Sequence, residues 1–412
     1  MCGSAGREHD RAGTRAYLKR RHPRLNVLFD PGERRPCKPP VLAVAVKAGW
    51  FGSQALGQRL RQGAPGLCTT PDTFAHLRRL RDVGRNDRRA LVTGIGGQDG
   101  VLLAELLLGH GYELFGITRR SPEAYTENLG GLIEQIAFVR ADLLVREELK
   151  DALRSVRPQE VYNLAAPSFV PRSWDEPVLT AEFAAVGATS MLEAIREVDP
   201  SIRFYQASSS EIFGEPRETP QTEETPLTPL TPYGIAKAYA HFITGSYRKR
   251  YGLFAASGIL YNHESPLRPV DFLPRKVSRA VAAISLGLEN ELVLGDLSSR
   301  RDWGYARDYV RAMWLMLQQD APDDYIVASG ESHTVEELVA RAFGVVGLDW
   351  REHVRTDDAL RRGKAELHDL VGDASKAHRE LGWAPEVGFE ELVRILVDAD
   401  LARLAEDQAA SS

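Results

Sequence analysis

Short apolar runs alternate with stretches of helical periodicity from Arg89 onward. Stretches such as Val101–Leu108 and Thr180–Val198 carry the helical pattern and separate the runs. The runs themselves predict six β-strands, at Ala90–Thr93, Tyr112–Ile117, Ile136–Arg140, Glu160–Leu164, Ile202–Gln206 and Leu253–Tyr261. Strands that alternate with helices in this way predict an α/β fold with a doubly wound parallel sheet of the Rossmann type. Such a sheet binds its ligand at the carboxyl ends of the strands.

The pattern becomes less regular after Asn262 and predicts a smaller C-terminal domain that is partly interwoven with the first. Its expected elements are a strand at Glu291–Gly295, a loop at Arg300–Trp303, and helices at Asp308–Gln318, from Thr334 and from Phe389. We therefore expect a nucleotide-binding domain at 89–262, completed by parts of 305–330, and a mainly substrate-binding domain at 263–404. A tail at 405–412 follows.

Residues 1–88 differ from the rest of the chain in periodicity and in charge. They contain 18 Lys and Arg against 7 Asp and Glu, a net charge of +11 that leaves −16 for residues 89–412. Little periodicity is present beyond a short helical pattern near Phe74–Val83, which favours a disordered extension or a translated stretch upstream of the working start. A basic segment can also bind nucleic acid or an anionic membrane surface. We expect neither partner.

The composition of the chain is that of a soluble globular protein, with 43% hydrophobic and 26% charged residues. No apolar run approaches the ~20 residues of a membrane span, and the longest candidate is Val41–Val46. The spacing of the three cysteines, Cys2, Cys37 and Cys68, fits neither a zinc site nor a disulfide framework. These features predict a cytoplasmic protein without a metal site.

A glycine-rich turn stands between the first predicted strand and the first predicted helix. Gly94, Gly97 and Gly100 recur at every third position, and Gln98 and Asp99 lie between the last two. Such glycines allow a tight turn, close approach of the backbone to a pyrophosphate and packing of the helix on its strand. The helix N-terminus also offers unpaired N–H groups to phosphates. The turn therefore predicts a dinucleotide cofactor.

The second predicted strand runs into Arg119 and Arg120. A site selective for NAD usually has an acidic residue here, which binds the ribose 2′-hydroxyl. Two guanidinium groups instead favour the 2′-phosphate of NADP. The alternative is that both arginines are solvated or lie at a subunit contact.

A helix that begins near Thr231 brings a phenol and an amine to one face, because Tyr233 and Lys237 are four residues apart. Thr231 suits the N-cap and Pro232 the first helical position. A nearby ammonium lowers the pKa of a phenol, so we expect Tyr233 to act as a base towards a substrate alcohol.

A serine-rich segment with a carboxylate, Ser208–Glu211, follows the fifth predicted strand. In the expected reaction Tyr233 takes a hydroxyl proton, Ser209 hydrogen-bonds the same oxygen and Lys237 holds the nicotinamide ribose. Oxidation of a sugar at C4 acidifies its C5 proton. Glu211 can remove that proton and then, as an acid, help the C6 hydroxyl leave as water. The set predicts 4,6-dehydration of a sugar.

Five segments together resemble the signatures of the GDP-mannose 4,6-dehydratases, within the extended short-chain dehydrogenase/reductase superfamily. The resemblance runs from about Arg89 to Leu401. Its most specific parts are Asn-His-Glu-Ser-Pro and Arg-Asp-Trp-Gly, whereas the glycine and Tyr/Lys motifs mark only the superfamily. The segments are Gly94–Gly100, Gln206–Glu211, Tyr233–Lys237, Asn262–Pro266 and Arg301–Gly304.

The resemblance implies that Ser209, Glu211 and Tyr233 are catalytic and that Lys237 contacts the cofactor. It implies dimers or tetramers and an NADP cofactor held by the glycine turn. Further contacts to NADP are implied for Asp142, Leu143, Leu164, Ala165, Ala166, Ser168, His263 and Arg268. Contacts to a GDP-hexose substrate are implied for Asn262, Lys276, Arg301 and Glu366.

Several positions depart from the family pattern. Ser209 replaces a usual threonine, Pro167 a usual glutamine and Phe169 a usual histidine, and the segment at Glu366 lacks the usual Arg-Pro pair. These departures concern the substrate more than the reaction type. They leave open a dehydratase of a related GDP-sugar, such as a GDP-heptose, and a 4-reductase or epimerase on the same scaffold. A superfamily member that binds nucleotide as a regulator, without catalysis, is a third alternative.

Overall fold

A parallel sheet of seven strands is the central element of the computed structural model, which describes residues 88–360 and 369–411. The strand order across this sheet is β10-β6-β5-β4-β1-β2-β3, and all neighbours run parallel. The strands of the described residues are β1 Arg89–Thr93, β2 Glu113–Thr118, β3 Ile136–Arg140, β4 Glu160–Asn163, β5 Arg203–Ala207, β6 Ala255–Leu260, β7 Asn262–Glu264, β8 Leu292–Leu294, β9 Arg300–Tyr305, β10 Asp324–Val327, β11 Ser332–Thr334 and β12 Val354–Thr356.

Helices cover both faces of the sheet. On one face α1 and α6 pack against it around buried residues such as Leu103 and Met313, and on the other α2 and α3 pack around Leu149 and Ile195. The predicted doubly wound architecture is therefore confirmed. The helices longer than one turn are α1 Gln98–Gly109, α2 Arg146–Val156, α3 Pro177–Val198, α4 Pro232–Tyr251, α5 Leu273–Ser285, α6 Ala306–Met316, α7 Val335–Val345, α8 Ser375–Leu381 and α9 Phe389–Ser411.

A separate sheet of three strands lies beyond the carboxyl end of β6, in the order β11-β9-β7. The predicted loop at Arg300–Trp303 is wrong, because this segment is the central strand β9. Its backbone pairs with β7 in parallel and with β11 antiparallel. A polar strand of this kind carries no run of apolar residues, so only its long-range partners define it.

Three other helices, α5, α7 and α9, enclose a further apolar core with β8 and β9. These elements come from the region predicted to bind substrate, while β10, from the same half of the chain, completes the large sheet. Helix α9 continues through residue 405 to Ser411. The domain boundaries themselves stay a prediction, and residues 1–87 lie outside the described residues.

Helix α3 is long and apolar enough, by length and composition alone, to cross a membrane. The expectation that no segment approaches this limit is therefore wrong. About half of its most apolar window is buried inside the protein, where Met191, Leu192 and Ile195 pack against the sheet and α2. Burial in a soluble core accounts for that half of the apolar composition.

Candidate active site

A cavity of about 640 Å³ opens at the carboxyl ends of the central strands. The turns after β1, β4 and β5, the N-terminal part of α4 and the strands β7 and β9 line it. Eighteen of the predicted site residues contribute to this lining. They are Gly94, Gly97, Gln98, Asp99, Gly100, Leu164, Ala165, Ala166, Ser168, Ser209, Glu211, Tyr233, Lys237, Asn262, His263, Arg268, Lys276 and Arg301.

The glycine turn has the geometry that its sequence predicts. Gly94 has a φ of +73°, in the left-handed region that favours glycine. A Cβ atom on Gly100 would lie 2.3 Å from the carbonyl oxygen of Gly94, so only glycine fits there. Gly97 is the N-cap of α1 and has no side chain to cover the first N–H groups of the helix. The turn thus leaves a bare helix N-terminus at the cavity, which suits a pyrophosphate.

The start of α4 fixes the phenol and the amine in the cavity. The side chain of Thr231 accepts a hydrogen bond from the Gly234 N–H at 2.9 Å and caps the helix. Both Tyr233 and Lys237 are buried. The ammonium of Lys237 donates to the carbonyl oxygen of Ala207, at the end of β5, over 2.8 Å. This bond ties the helix to the strand that precedes the serine-rich segment.

Close backbone packing joins the same helix to the carboxylate. A Cβ atom on Gly234 would lie 2.5 Å from the carbonyl oxygen of Glu211, so glycine allows α4 to approach the turn after β5. In that turn the Ser209 Oγ accepts a hydrogen bond from the Glu211 N–H at 3.3 Å. Ser209 also lies close enough to the Tyr233 phenol to oppose the rise of its pKa. The structure therefore brings the hydroxyl, the phenol and the carboxylate together.

The pKa of Tyr233 is raised, whereas a lowered pKa was expected from the spacing of Tyr233 and Lys237. Burial raises it to about 12, the Glu211 charge adds to the rise, and the Ser209 hydrogen bond opposes it. The Lys237 ammonium donates to the Ala207 carbonyl oxygen and lies 5.6 Å from the centroid of the Tyr233 ring, and its charge does not offset the effect of burial. Burial likewise lowers the pKa of Lys237 to about 8.

A buried ion pair links the glycine turn to β7. The Asp99 Oδ2 atom lies 3.0 Å from the Nε2 atom of His263, whose Nδ1 lies 2.7 Å from the Tyr261 carbonyl oxygen. Burial raises the pKa of Asp99, but the charge and hydrogen bond of His263 outweigh it and bring the pKa to about 2. Gln98 donates to the His263 carbonyl oxygen and accepts from the Ser265 hydroxyl. Both polar residues of the turn therefore have protein partners.

Four predicted cofactor residues do not line the cavity. Arg119 and Arg120 follow β2 and are exposed, and Asp142 and Leu143 follow β3. The Arg119 guanidinium lies 3.6 Å from the Asp142 carboxylate. The four residues thus follow β2 and β3, the two strands between β1 and one edge of the sheet. Glu366 lies outside the described residues.

An aromatic pair in the lining includes a residue that sequence reasoning missed. Phe272 contacts Phe169 edge to face, with ring centroids 5.2 Å apart. The guanidinium of Arg268 stacks over Phe272 at 3.6 Å. Pro274, which marks the start of α5, was the one local signal that Phe272 stands at a helix entrance.

Residues 91–396 match the family model described as GDP-mannose 4,6 dehydratase. The chain belongs to the GDP-mannose 4,6-dehydratase family. GDP-mannose 4,6 dehydratase 2 of Arabidopsis thaliana is 48% identical to it, over 76% of this chain and 86% of the relative. The GDP-mannose 4,6 dehydratase of Cricetulus griseus is 43% identical, over 78% of this chain and 93% of the relative.

Solved structures agree with this assignment. The dTDP-glucose 4,6-dehydratase of Streptomyces venezuelae, crystallised with NAD and TYD bound, superposes with a TM-score of 0.67 at 25% identity, over 78% of this chain and 98% of that one. The predicted family, the Rossmann-type fold and the enzyme class, a nucleotide-sugar 4,6-dehydratase, are confirmed. A nicotinamide cofactor is supported as well. The preference for NADP and the roles of individual residues stay predictions.

The lowered pKa of Lys237 makes the stability of the dehydratase depend on pH. The folded protein releases this proton near pH 8, whereas the unfolded chain keeps it up to the ordinary pKa of 10.5. The unfolded state binds more protons between these values, so the free energy of unfolding rises with pH there. From about pH 7 to about pH 9.5 the wild type should gain about 2 kcal/mol relative to Lys237→Met.

Urea denaturation of both proteins at each pH measures this difference. Since all other ionisable groups are shared, their contributions cancel in the comparison. An identical pH dependence of the two proteins would show that Lys237 keeps its ordinary pKa in the folded state.

Proposed function

We propose that this chain is an NADP-dependent GDP-mannose 4,6-dehydratase, which forms GDP-4-keto-6-deoxy-mannose and water with no net consumption of the cofactor. The observation that carries the proposal is the convergence of Ser209, Glu211 and Tyr233 on one cavity, beside Lys237. A cytoplasmic location goes with this proposal.

Each side chain takes a defined part in the reaction. Tyr233 removes the proton of the sugar C4 hydroxyl, and Ser209 hydrogen-bonds the same oxygen. Glu211 removes the C5 proton once C4 is a ketone and gives that proton to the departing C6 hydroxyl, which leaves as water. Tyr233 then gives the proton that it took from the C4 hydroxyl to C5 as the hydride returns to C6. When bound, the oxidised nicotinamide supplies the acceptor for the C4 hydride, which later returns to C6, and a positive charge that favours the phenolate.

The raised pKa of Tyr233 fits this order of events. A phenol with a pKa of about 12 is protonated at neutral pH. Tyr233 therefore becomes a base only when positive charge enters the cavity, so proton removal is coupled to occupation of the cofactor site. Lys237, which donates to the Ala207 carbonyl oxygen, helps to set the position of α4.

The substrate half of the cavity carries the positive charges that a diphosphate requires. Lys276 and Arg301 both line it, as does Asn262. The Lys276 ammonium donates to the Val293 carbonyl oxygen and Arg301 to that of Arg300, so each side chain is oriented by backbone. Charge-assisted hydrogen bonds from such groups to phosphate are strong. A contact from Glu366 is part of the proposal.

The NADP preference rests on Arg119 and Arg120. Both follow β2, where a Rossmann sheet binds the adenosine ribose. Arg119 is oriented by the Asp142 carboxylate and by the Phe183 ring, which lies 4.5 Å from its guanidinium carbon. An exposed guanidinium that is held in place on two sides suits a 2′-phosphate.

An exposed apolar face on α3 and α4 supports assembly of two copies. Val178 and Val186 on α3 and Ile235, Tyr239 and Phe242 on α4 are exposed, Val178 to 69% and Phe242 to 60%. The spacings along each helix place these side chains on one face, and the two helices pack side by side. We infer a homo-oligomer in which this face meets the same face of a second copy.

Dehydration depends on Glu211. Wild-type protein incubated with GDP-mannose should release a product lighter by one water without added NADPH. Glu211→Gln should form very little, since an amide cannot remove the C5 proton, while slow C4 oxidation gives transient NADPH absorbance. Mass spectrometry and absorbance measure the two steps, and a loss of about a thousandfold in product is expected for a general base.

Glu215→Gln is the matched control, because Glu215 is exposed and does not line the cavity. Full turnover by Glu211→Gln would refute the role of the carboxylate. A panel of GDP-, UDP- and dTDP-hexoses in the same assay separates the alternatives. Conversion of another GDP-sugar in preference to GDP-mannose would change the substrate, a product of unchanged mass would indicate an epimerase, and NADP binding without any product would indicate a regulator.

Cofactor selectivity should follow Arg119 and Arg120. Replacement of both by alanine should raise the Kd for NADP by about tenfold or more, because charge-assisted hydrogen bonds to the 2′-phosphate are lost. The Kd for NAD should change little. Titration calorimetry with each cofactor checks this result. An equal effect on NADP and NAD, or none, would contradict the assignment.

The oligomer should dissociate when its apolar face is charged. Val178→Glu and Phe242→Glu together should convert the wild-type oligomer to a monomer. Each copy would contribute both carboxylates to the interface, so that their burial and mutual repulsion would oppose association. Light scattering after gel filtration gives the mass. Leu288→Glu, an exposed apolar position outside this face, should leave the mass unchanged. A monomeric wild type would contradict the assembly.

A further inference from the structure

Asp302 is a buried carboxylate whose two oxygens accept hydrogen bonds from two distant segments. It is 1% exposed and lies on β9. Its Oδ1 atom accepts from the backbone N–H of Ser329 at 2.9 Å and from the Ser329 hydroxyl at 2.6 Å. Its Oδ2 atom accepts from the N–H groups of Gly330, at 3.0 Å, and Gly372, at 3.4 Å. One side chain thus holds a loop and a second chain segment against the strand.

The two neighbours of this residue point the other way. Arg301 and Trp303 both line the cavity, as alternation along a strand requires when Asp302 faces away from it. Strand β9 also pairs with β7, where Asn262 lies opposite Trp303. A shift of β9 would therefore move the cationic group Arg301 and the amide of Asn262 together.

We propose that Asp302 is a positioning residue for the nucleotide-sugar: it anchors β9 so that Arg301 and Asn262 meet the diphosphate and the sugar in a fixed geometry. This inference rests on the proposed function. The chemistry of reaction lies elsewhere in the cavity, with Ser209, Glu211 and Tyr233. Loss of the anchor should therefore weaken substrate binding more than it slows turnover.

The pKa of the Asp302 carboxyl reflects both its burial and its hydrogen bonds. Burial raises the pKa of its carboxyl, while the hydrogen bonds from Ser329, Gly330 and Gly372 oppose the rise. Four donors converge on two oxygens, and the Gly372 N–H, which is buried, would lose its partner if the carboxylate were lost.

Asparagine at this position keeps the size but not the hydrogen bonds. Either orientation of the amide places its NH₂ group against at least one backbone N–H, of Ser329 or of Gly330 and Gly372. Donor then faces donor, and β9 is released on that side. The variant Asp302→Asn is thus a test that does not open a cavity.

Asp308 provides a matched control. It is also buried, at 4% exposure, and its Oδ2 accepts from the N–H groups of Glu386 and Val387 at 2.9 and 3.1 Å. It lies on α6 and does not line the cavity. Asp308→Asn likewise removes a buried carboxylate, but its amide oxygen can still accept both hydrogen bonds, so it controls for the loss of a buried charge without an effect on the substrate site.

Steady-state kinetics with GDP-mannose and titration calorimetry with GDP compare the two variants. Asp302→Asn should raise the KM for GDP-mannose and the Kd for GDP by about tenfold, since one charge-assisted contact is misplaced. Its kcat and its Kd for NADP should stay within about threefold of the wild type. Asp308→Asn should leave all four values near those of the wild type. Equal effects of the two variants on KM and on GDP binding would overturn the inference.

Two further results keep the test decisive. Ser329→Ala removes only the hydroxyl donor, and it should weaken GDP binding by about threefold, in line with one hydrogen bond. If Asp302→Asn does not fold, GDP binding to Ser329→Ala at wild-type strength would overturn the proposal. A wild type that binds GDP but does not convert GDP-mannose would remove the proposed function, while the GDP titrations would still decide the role of Asp302.

Discussion

The contact between the N-terminus of α4 and the end of β5 determines the geometry of the active site. Two features make this contact close: the hydrogen bond from Lys237 to the Ala207 carbonyl oxygen and the absence of a side chain on Gly234, which lets the helix approach Glu211. Because Ser209 caps the turn that carries Glu211, the three side chains proposed to perform the chemistry share one set of local contacts. Those contacts lie within residues 207–237.

Burial, and not the neighbouring ammonium, dominates the electrostatics of this site. The same low polarity raises the pKa of Tyr233 to about 12 and lowers that of Lys237 to about 8, so burial shifts each group toward its neutral form. A positive charge that enters the cavity would oppose this shift at Tyr233 and favour the phenolate. In the proposed function the oxidised cofactor supplies that charge.

The parts of the site that sequence reasoning predicted are those that local rules determine. The glycine turn, the helix start at Thr231 and the pair Tyr233 and Lys237 follow from residues within a few positions of one another. The position of β9 could not be predicted in this way, because the donors that hold Asp302 lie 27 and 70 residues further along the chain. The raised pKa of Tyr233 also escaped prediction, since its main cause is burial, which depends on how distant segments pack around the start of α4.

The pair Asp99 and His263 explains how the cofactor half and the substrate half act as one site. Asp99 belongs to the first turn of α1, while His263 lies on β7 between the central sheet and β9. The ion pair and the bonds of Gln98 to the His263 carbonyl oxygen and to the Ser265 hydroxyl fix β7 to the glycine turn. Strand β7 in turn pairs with β9, which Asp302 anchors from its other side. A continuous series of hydrogen bonds thus connects helix α1 with strand β9, which carries Arg301. In the proposed reaction a hydride passes between the nicotinamide and the sugar only when both are held in register. This series of bonds would fix the relative positions of the two parts of the cavity that hold them.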